Sequence, residues 1–178
     1  MKTLVILAHP DIESSKVNKV WKRELLKYPD EITIHELYKE YPDWNIDVLR
    51  EQNLIETYEK IVFEFPLYWY SYPPILKKWL DDVFTYGWAY GSKGDKLKRK
   101  KFGIAMSIGD KKANYSKEGP ITFTVDEIIT PFKATAIHVG AISLPYFSIF
   151  GSSFNASNEE IEQSAKDYVN YILNENNN

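Results

Sequence analysis

Leu4-Val5-Ile6-Leu7-Ala8, then His9-Pro10-Asp11-Ile12-Glu13-Ser14-Ser15, then Lys16-Val17-Asn18: an apolar run, a polar loop and the start of an amphipathic stretch decide the fold. The apolar run is too short for a helix and does not alternate. It reads as a strand buried on both faces, as in a parallel sheet. Val17, Val20, Trp21, Leu25 and Leu26 recur at helical spacing and predict a helix from Lys16 to Lys27, stopped by Pro29-Asp30. The same alternation continues along the chain. Strands are predicted at Ile32–Leu37, Lys60–Phe65, Phe102–Ser107 and Ile142–Phe150, with Pro145 marking the last as an edge or a bulge. Helices are predicted at Ile46–Tyr58, along the stripe Ile75, Leu76, Trp79, Leu80, Val83 and Phe84, from Thr130-Pro131 to Gly140, and over Ser157–Leu173. Ser71 is the expected cap of the helix carrying the Ile75–Phe84 stripe, with Pro73-Pro74 in its first turn, and Thr130 of the helix stopped by Gly140. Asn174–Asn178 is expected to fray.

Five strands alternating with helices imply an α/β fold of three layers, α/β/α, around a five-stranded parallel sheet of order 2-1-3-4-5. The 178 residues suit a single domain spanning 1–178. Lys and Arg total 22 against 25 Asp and Glu, so the net charge is −3 and the basic surplus of a nucleic-acid binder is missing. The absence of Cys excludes thiolate metal sites, iron–sulfur clusters and Cys nucleophiles. His9, His35 and His138 lack metal-ligand spacing, so no metal is expected. No apolar run approaches the roughly 18 residues of a membrane span, and a cytoplasmic protein is expected.

Ligands in open parallel sheets bind beyond the carboxyl ends of the strands, which singles out three loops. In the first, Ser14 or Ser15 caps a helix whose free N–H groups suit an anion, with His9 beside it. The plainer reading, a capped helix with a solvated His, stands at even odds with the phosphate one. In the second, Pro66-Leu67-Tyr68-Trp69-Tyr70-Ser71 offers rings on which a planar ligand can stack, Trp69 above all; an aromatic packing cluster is the alternative. The third, Ser107-Ile108-Gly109-Asp110, runs into an aperiodic stretch from Lys111 to Ile129 that contains Tyr115. Gly109 lets the backbone approach a ligand, and Tyr115 can donate its phenol proton; otherwise this is a surface loop with one half-buried Tyr. No G-x-G-x-x-G or P-loop motif is present. A phosphate end, a flat platform and a glycine turn together suit a flavin mononucleotide better than a dinucleotide.

On Ala8-His9-Pro10, Ser15-Lys16-Val17-Asn18, Tyr41-Pro42-Asp43-Trp44, Phe65-Pro66-Leu67-Tyr68-Trp69-Tyr70-Ser71, Trp79-Leu80-Asp81-Asp82-Val83-Phe84 and Gly87-Trp88-Ala89-Tyr90-Gly91, the chain resembles the flavodoxin-like NAD(P)H:quinone oxidoreductases. The likeness is to their small bacterial branch of general-stress oxidoreductases and potassium-efflux ancillary proteins, over nearly the whole chain. It implies tightly held FMN (FAD less so), NADH or NADPH as co-substrate, a quinone or similar planar acceptor, ping-pong hydride transfer through flavin N5, and a homodimer. It further implies that His9, Ser15, Lys16, Val17 and Asn18 form the phosphate turn and that Pro66, Leu67, Tyr68, Trp69 and Tyr70 line the flavin ring. Ser107, Ile108, Gly109 and Asp110 would border its pyrimidine edge, with Gly109 and Tyr115 stabilising the reduced form. Trp88–Gly91 would wall the slot of a partner subunit. The sequence departs from the family pattern in reading Ser-Ile-Gly-Asp for a double-glycine turn and in carrying Ile121 where animal relatives have a catalytic His. A regulatory subunit docked on a membrane transporter is the alternative function. A one-electron carrier is disfavoured by the modest charge. Lys77–Asp81 and Lys78–Asp82 are expected as exposed i,i+4 pairs, and the basic run Lys93–Lys101 as a solvated loop.

Overall fold

The computed structural model describes residues 2–174. The strands are β1 (Thr3–Leu7), β2 (Ile32–Glu36), β3 (Lys60–Pro66), β4 (Lys101–Ser107), β5 (Ile142–Ser143) and β6 (Phe147–Ile149). The helices are α1 (Asn18–Leu25), α2 (Leu37–Glu40), α3 (Val48–Glu56), α4 (Pro74–Val83), α5 (Val125–Ile128), α6 (Thr130–His138) and α7 (Asn158–Leu173). All strand pairs are parallel and the order is β2-β1-β3-β4-β5, with β6 also on β4. The expected fold is therefore the observed one.

The fifth strand is broken. Phe102 pairs with Ser143, but Ala105 pairs with Phe147, so three steps along β4 face four along the edge. The extra residue is a bulge of the kind a strand proline permits. Leu144, Pro145 and Tyr146 span the break, and Tyr171 of α7 donates its hydroxyl to the Pro145 carbonyl at 2.8 Å.

The period of two in the strands sorts the core. Leu4, Ile6, Ile61, Phe63, Phe65, Phe102, Ile104 and Met106 face one side, where Ile55, Ile75, Leu76, Trp79, Val83 and Phe132 cover them. Val5, Val62 and Ala105 face the other, against Val17, Trp21 and Leu25 of α1 and Ile161, Ala165, Tyr168 and Val169 of α7. Phe63 is central to the first side, with ring centroids of Trp79, Phe102 and Phe132 at 6.0, 5.5 and 5.4 Å. Its truncation to Ala would cost about 3–5 kcal/mol.

Two buried polar clusters tie the layers. On the first side the Glu51 carboxylate of α3 accepts from Trp79 Nε1 at 2.7 Å, the Tyr41 hydroxyl at 2.5 Å and His35 Nε2 at 2.9 Å. Burial alone would raise its pKa; the three donors and the neighbouring His35 charge outweigh that and hold it below the usual range. His35 thus serves packing between β2 and α3. On the second side Asn18 joins α1 to β3 and β4, as described below.

Several boundaries differ from expectation. α1 begins at Asn18 instead of Lys16, because the Ser15 hydroxyl accepts the Asn18 N–H at 3.0 Å and delays the first turn. Ser71 does not cap α4; its backbone closes a turn with Tyr68, and Pro73 precedes the helix without a side-chain cap. Thr130 is the first residue of α6 and no cap, since α5 ends only two residues earlier. The Lys111–Ile129 stretch contains a short 3-10 turn at Lys112–Asn114 and α5, which is opened by a Thr124–Glu127 capping box. α2 is a further single turn. Asn174 ends α7 by donating to the Asn170 carbonyl at 2.9 Å; the rest of the expected frayed tail, 175–178, lies outside the described residues. Lys77–Asp81 and Lys78–Asp82 form the expected pairs at 2.5 and 2.7 Å. Among the described residues, no helix is long and apolar enough to cross a membrane.

Candidate functional site

The carboxyl ends of β1, β3 and β4 carry the three loops, and hydrogen bonds stitch them together. Leu67 N–H donates to the Ser107 carbonyl at 2.9 Å, and Ser107 Oγ donates to Asn18 Oδ1 at 2.7 Å. The roots of the three loops therefore meet at one edge of the sheet.

In the first loop the N–H groups of Lys16 and Val17 have no hydrogen-bond partner among the described residues. They stand just ahead of α1, where the helix dipole favours negative charge. Val17 is buried in the α1 core and offers backbone only; Lys16 is exposed. His9 Nδ1 accepts the Asp11 N–H at 3.2 Å, so the ring's remaining proton sits on Nε2 as a donor. Burial lowers its pKa against the opposing pull of Asp11, which favours the neutral ring. Asn18 is fully buried, and its side chain is committed to Glu64 and Ser107 instead of the loop's mouth.

The second loop is a tight turn. Tyr68 and Ser71 exchange both backbone hydrogen bonds, at 3.0 and 2.9 Å. Trp69 and Tyr70 sit between them at φ of 46° and 62°. Such turns call for Gly or Asn at both central positions, because the left-handed region crowds Cβ. Two bulky aromatics there are genuine outliers. Their N–H groups are also without partners among the described residues, and the Trp69 side chain is 93% exposed. Leu67 is half-buried, and Pro66 ends β3.

The third loop repeats the pattern. Gly109 and Asp110 N–H find no partner among the described residues, while Ile108, fully buried, donates to Ile149. A Cβ at Gly109 would lie 2.7 Å from Ser153 Oγ, the tip of a side chain that can turn away. Tyr115 is half-buried and stacks obliquely on Phe150 at 5.8 Å. Burial, then Asp110 and Tyr70, push its phenol pKa up, so it remains a proton donor. Asn114 Nδ2 and Lys111 N–H, each at 2.7 Å, donate to the Asp110 carboxylate and keep its pKa low.

Sequence reading missed a fourth loop. Gly151, at φ of 72°, starts a turn that donates from Ser152 to the Ile108 carbonyl at 3.0 Å and leaves Phe154 84% exposed beside the third loop. Gly151-Ser152-Ser153 after the last strand was the available signal. Trp88 and Tyr90, expected to reach another subunit, are half-buried within this chain: Trp88 Nε1 donates to Glu56 at 2.8 Å, and Tyr90 packs on His138 at 5.0 Å. Tyr90 also borders an open groove of about 590 Å³ between α4 and α6.

Three unpartnered pairs of N–H groups, an exposed indole and a phenol donor thus lie on loops rooted together at the carboxyl edge of the sheet. The set fits FMN: the first pair and His9 suit a phosphate, the other two pairs suit ring carbonyls and nitrogens, and Trp69 suits a flat face. Comparison with known proteins agrees. The chain is 48% identical over 174 residues to the uncharacterized NAD(P)H oxidoreductase YdeQ of Bacillus subtilis, covering 98% of this chain and 87% of that one. The crystal structure of general stress protein 14 from Treponema denticola, in complex with FMN, matches at 46% identity and a TM-score of 0.93, covering 97% and 98% of the two chains. That of an NADPH-quinone reductase from P. pentosaceus matches at 30% identity and a TM-score of 0.88, covering 98% and 99%. The Flavodoxin_2 family, a flavodoxin-like fold, matches residues 1–172, and the chain belongs to that family.

Proposed function

We propose that this chain is a cytoplasmic, FMN-dependent NAD(P)H:quinone oxidoreductase. The observation that carries the reading is the set of three unpartnered N–H pairs, at 16–17, 69–70 and 109–110, on loops joined at the carboxyl edge of the sheet, with Trp69 exposed on one of them. The relatives named for NAD(P)H oxidation, FMN binding and quinone reduction support it.

The residues divide the work. Lys16 and Val17 N–H, Ser15 Oγ and His9 Nε2–H would hold the phosphate. Leu67 to Tyr70 would flank the ring and orient it through the Trp69 and Tyr70 amides. Bound FMN would supply the hydride chemistry between a nicotinamide and a quinone. Gly109 and Asp110 N–H and the Tyr115 hydroxyl would donate toward the pyrimidine edge. Donors already in place there stabilise negative charge as it develops and need no reorganisation. Trp69 and Tyr70 would hold either planar substrate in turn in one slot, which makes the kinetics ping-pong.

A second copy is proposed to cover the α4–α6 face. Tyr86 and Ile137 are exposed there, and Tyr72, Leu80, Phe84, Tyr90 and Val139 line the groove. Sedimentation should give twice the chain mass, and Ile137→Glu should shift it toward one.

Anaerobic mixing of the purified protein with NADH or NADPH, then with menadione, tests the function. Loss and return of the flavin absorbance supports it. A colourless protein, inert after added FMN, refutes it.

A further inference from the structure

Beneath the first loop lies a carboxyl group that the proposed chemistry does not use. Glu64, on the face of β3 toward α1 and α7, is fully buried. Its Oε1 accepts Asn18 Nδ2 at 3.1 Å. Among the described residues, its Oε2 and the Tyr168 hydroxyl are the buried side-chain polar atoms without a hydrogen-bond partner. The two lie close enough to perturb one another's ionisation. Through Asn18 the group reaches Ser107 at 2.7 Å and, more weakly, Ser15 at 3.5 Å, one residue from each of two ligand loops.

We propose that Glu64 is a positioning residue for the phosphate turn: an uncharged carboxylic acid that braces Asn18, and whose ionisation weakens the hold on FMN. This rests on the FMN reading above. Three features of the surroundings require the neutral form. Among the described residues no cation forms an ion pair with the group: Lys22 of α1, whose charge acts on it, is paired at 2.8 Å with Glu36 of β2, whose own negative charge opposes ionisation of Glu64. From α7 the facing group is the Tyr168 phenol, itself pushed far above its ordinary value by burial and by Glu64. From β1 and β4 the register neighbours, Leu7 and Ala105, are apolar. Burial accordingly raises the Glu64 pKa to about 8, with Asn18 and Tyr168 only partly opposing it.

Ionisation would act on the turn in two ways of the same sign. A buried carboxylate with one unpartnered oxygen draws in water or swings away, and Asn18 loses its acceptor geometry. A negative charge behind the turn also repels a dianionic phosphate through a dry wall, where screening is weak. By linkage, FMN must then favour the protonated acid, so binding near the titration point takes up a proton.

The test is FMN affinity of the apoprotein between about pH 7 and pH 9.5, with proton uptake measured by calorimetry in two buffers of different ionisation enthalpy. The expected result is a tenfold or greater rise in Kd across that range, with proton uptake near pH 8. Glu64→Gln keeps an acceptor for Asn18 and gives Tyr168 a donor, but cannot ionise. Its profile should change less than threefold, without uptake. Equal profiles in the two proteins, or no proton uptake in the unsubstituted one, overturn the inference and leave the cofactor reading standing. Absence of FMN binding at every pH overturns both.

Discussion

Trp69 is placed where its residue type is least at home, and replacing it separates strain from function. The left-handed conformation at φ of 46° costs an L-residue about 1–2 kcal/mol. Gly removes that cost but adds about 0.5–1 kcal/mol of backbone entropy lost on folding. The side chain is 93% exposed, so little apolar burial is forfeited. Trp69→Gly should therefore stabilise the protein by about 0.5–1 kcal/mol, raising the urea midpoint at unchanged slope and Tm by about 2–3 °C. Trp69→Ala is the control: it removes the ring and keeps the strain, so its stability should stay within about 0.5 kcal/mol of the parent. Both variants lose the stacking surface, which is worth about 1–3 kcal/mol for a planar ring. Quinone kcat/KM should fall roughly ten- to hundredfold in both. A deletion that stabilises the fold while damaging turnover is the signature of strain retained for a site. The reasoning fails if Trp69→Gly is no more stable than Trp69→Ala, or if both keep the parent's kcat/KM.

Tyr115→Phe should slow flavin reduction in stopped flow roughly ten- to hundredfold while leaving FMN bound, since it removes one donor aimed at developing charge and no part of the phosphate turn. Glu51→Ala strands the donors of Trp79, Tyr41 and His35 and should cost about 3–5 kcal/mol by urea unfolding. Because the Glu51 pKa is depressed on folding, its contribution is complete above the ordinary value of 4.5 and is lost as pH falls through its lower folded value; the acid limb of a stability–pH curve should be shallower in Glu51→Gln. Glu64 acts with the opposite sign: raised from 4.5 to about 8, it makes stability fall as pH climbs between those values, by about 3 kcal/mol at pH 7, and Glu64→Gln should flatten that limb.

The fold was legible because its signal is repeated. The central strands are apolar runs and α1, α4 and α7 carry 3.6-residue stripes, so a two-residue error at the start of α1 or α3 changes a boundary and not the topology. What escaped was short or set by tertiary contact. α2 has four residues, too few for a periodic signal. The capping box at Thr124 and Glu127 was present in the sequence, but α5 behind it is equally short. The bulge near Pro145 was anticipated as a kind and not as a register, because β4 fixes where the extra residue falls. The site divides in the same way. Loop positions follow from strand ends, so His9, Ser15, Trp69, Gly109 and Tyr115 could be named. Their conformations could not: nothing in Tyr68-Trp69-Tyr70-Ser71 spells a turn that normally takes glycine. The Ser153 hydroxyl that Gly109 faces stands 44 residues further on.

The two buried glutamates show why composition says little about how charge is handled inside a fold. Both lie in the interior and both accept hydrogen bonds, yet they end in opposite protonation states. Glu51 meets three donors and is held ionised. Glu64 meets one amide, with a phenol out of bonding geometry and a nearby carboxylate, and is held neutral. The number of donors decides, since each bond to the charged form offsets part of the desolvation cost. The difference also follows function. Glu51 ties α3 to α4 and β2 on the opposite side of the sheet from Glu64. Glu64 stands behind a turn suited to an anion, where only the uncharged acid supports the backbone without opposing the ligand.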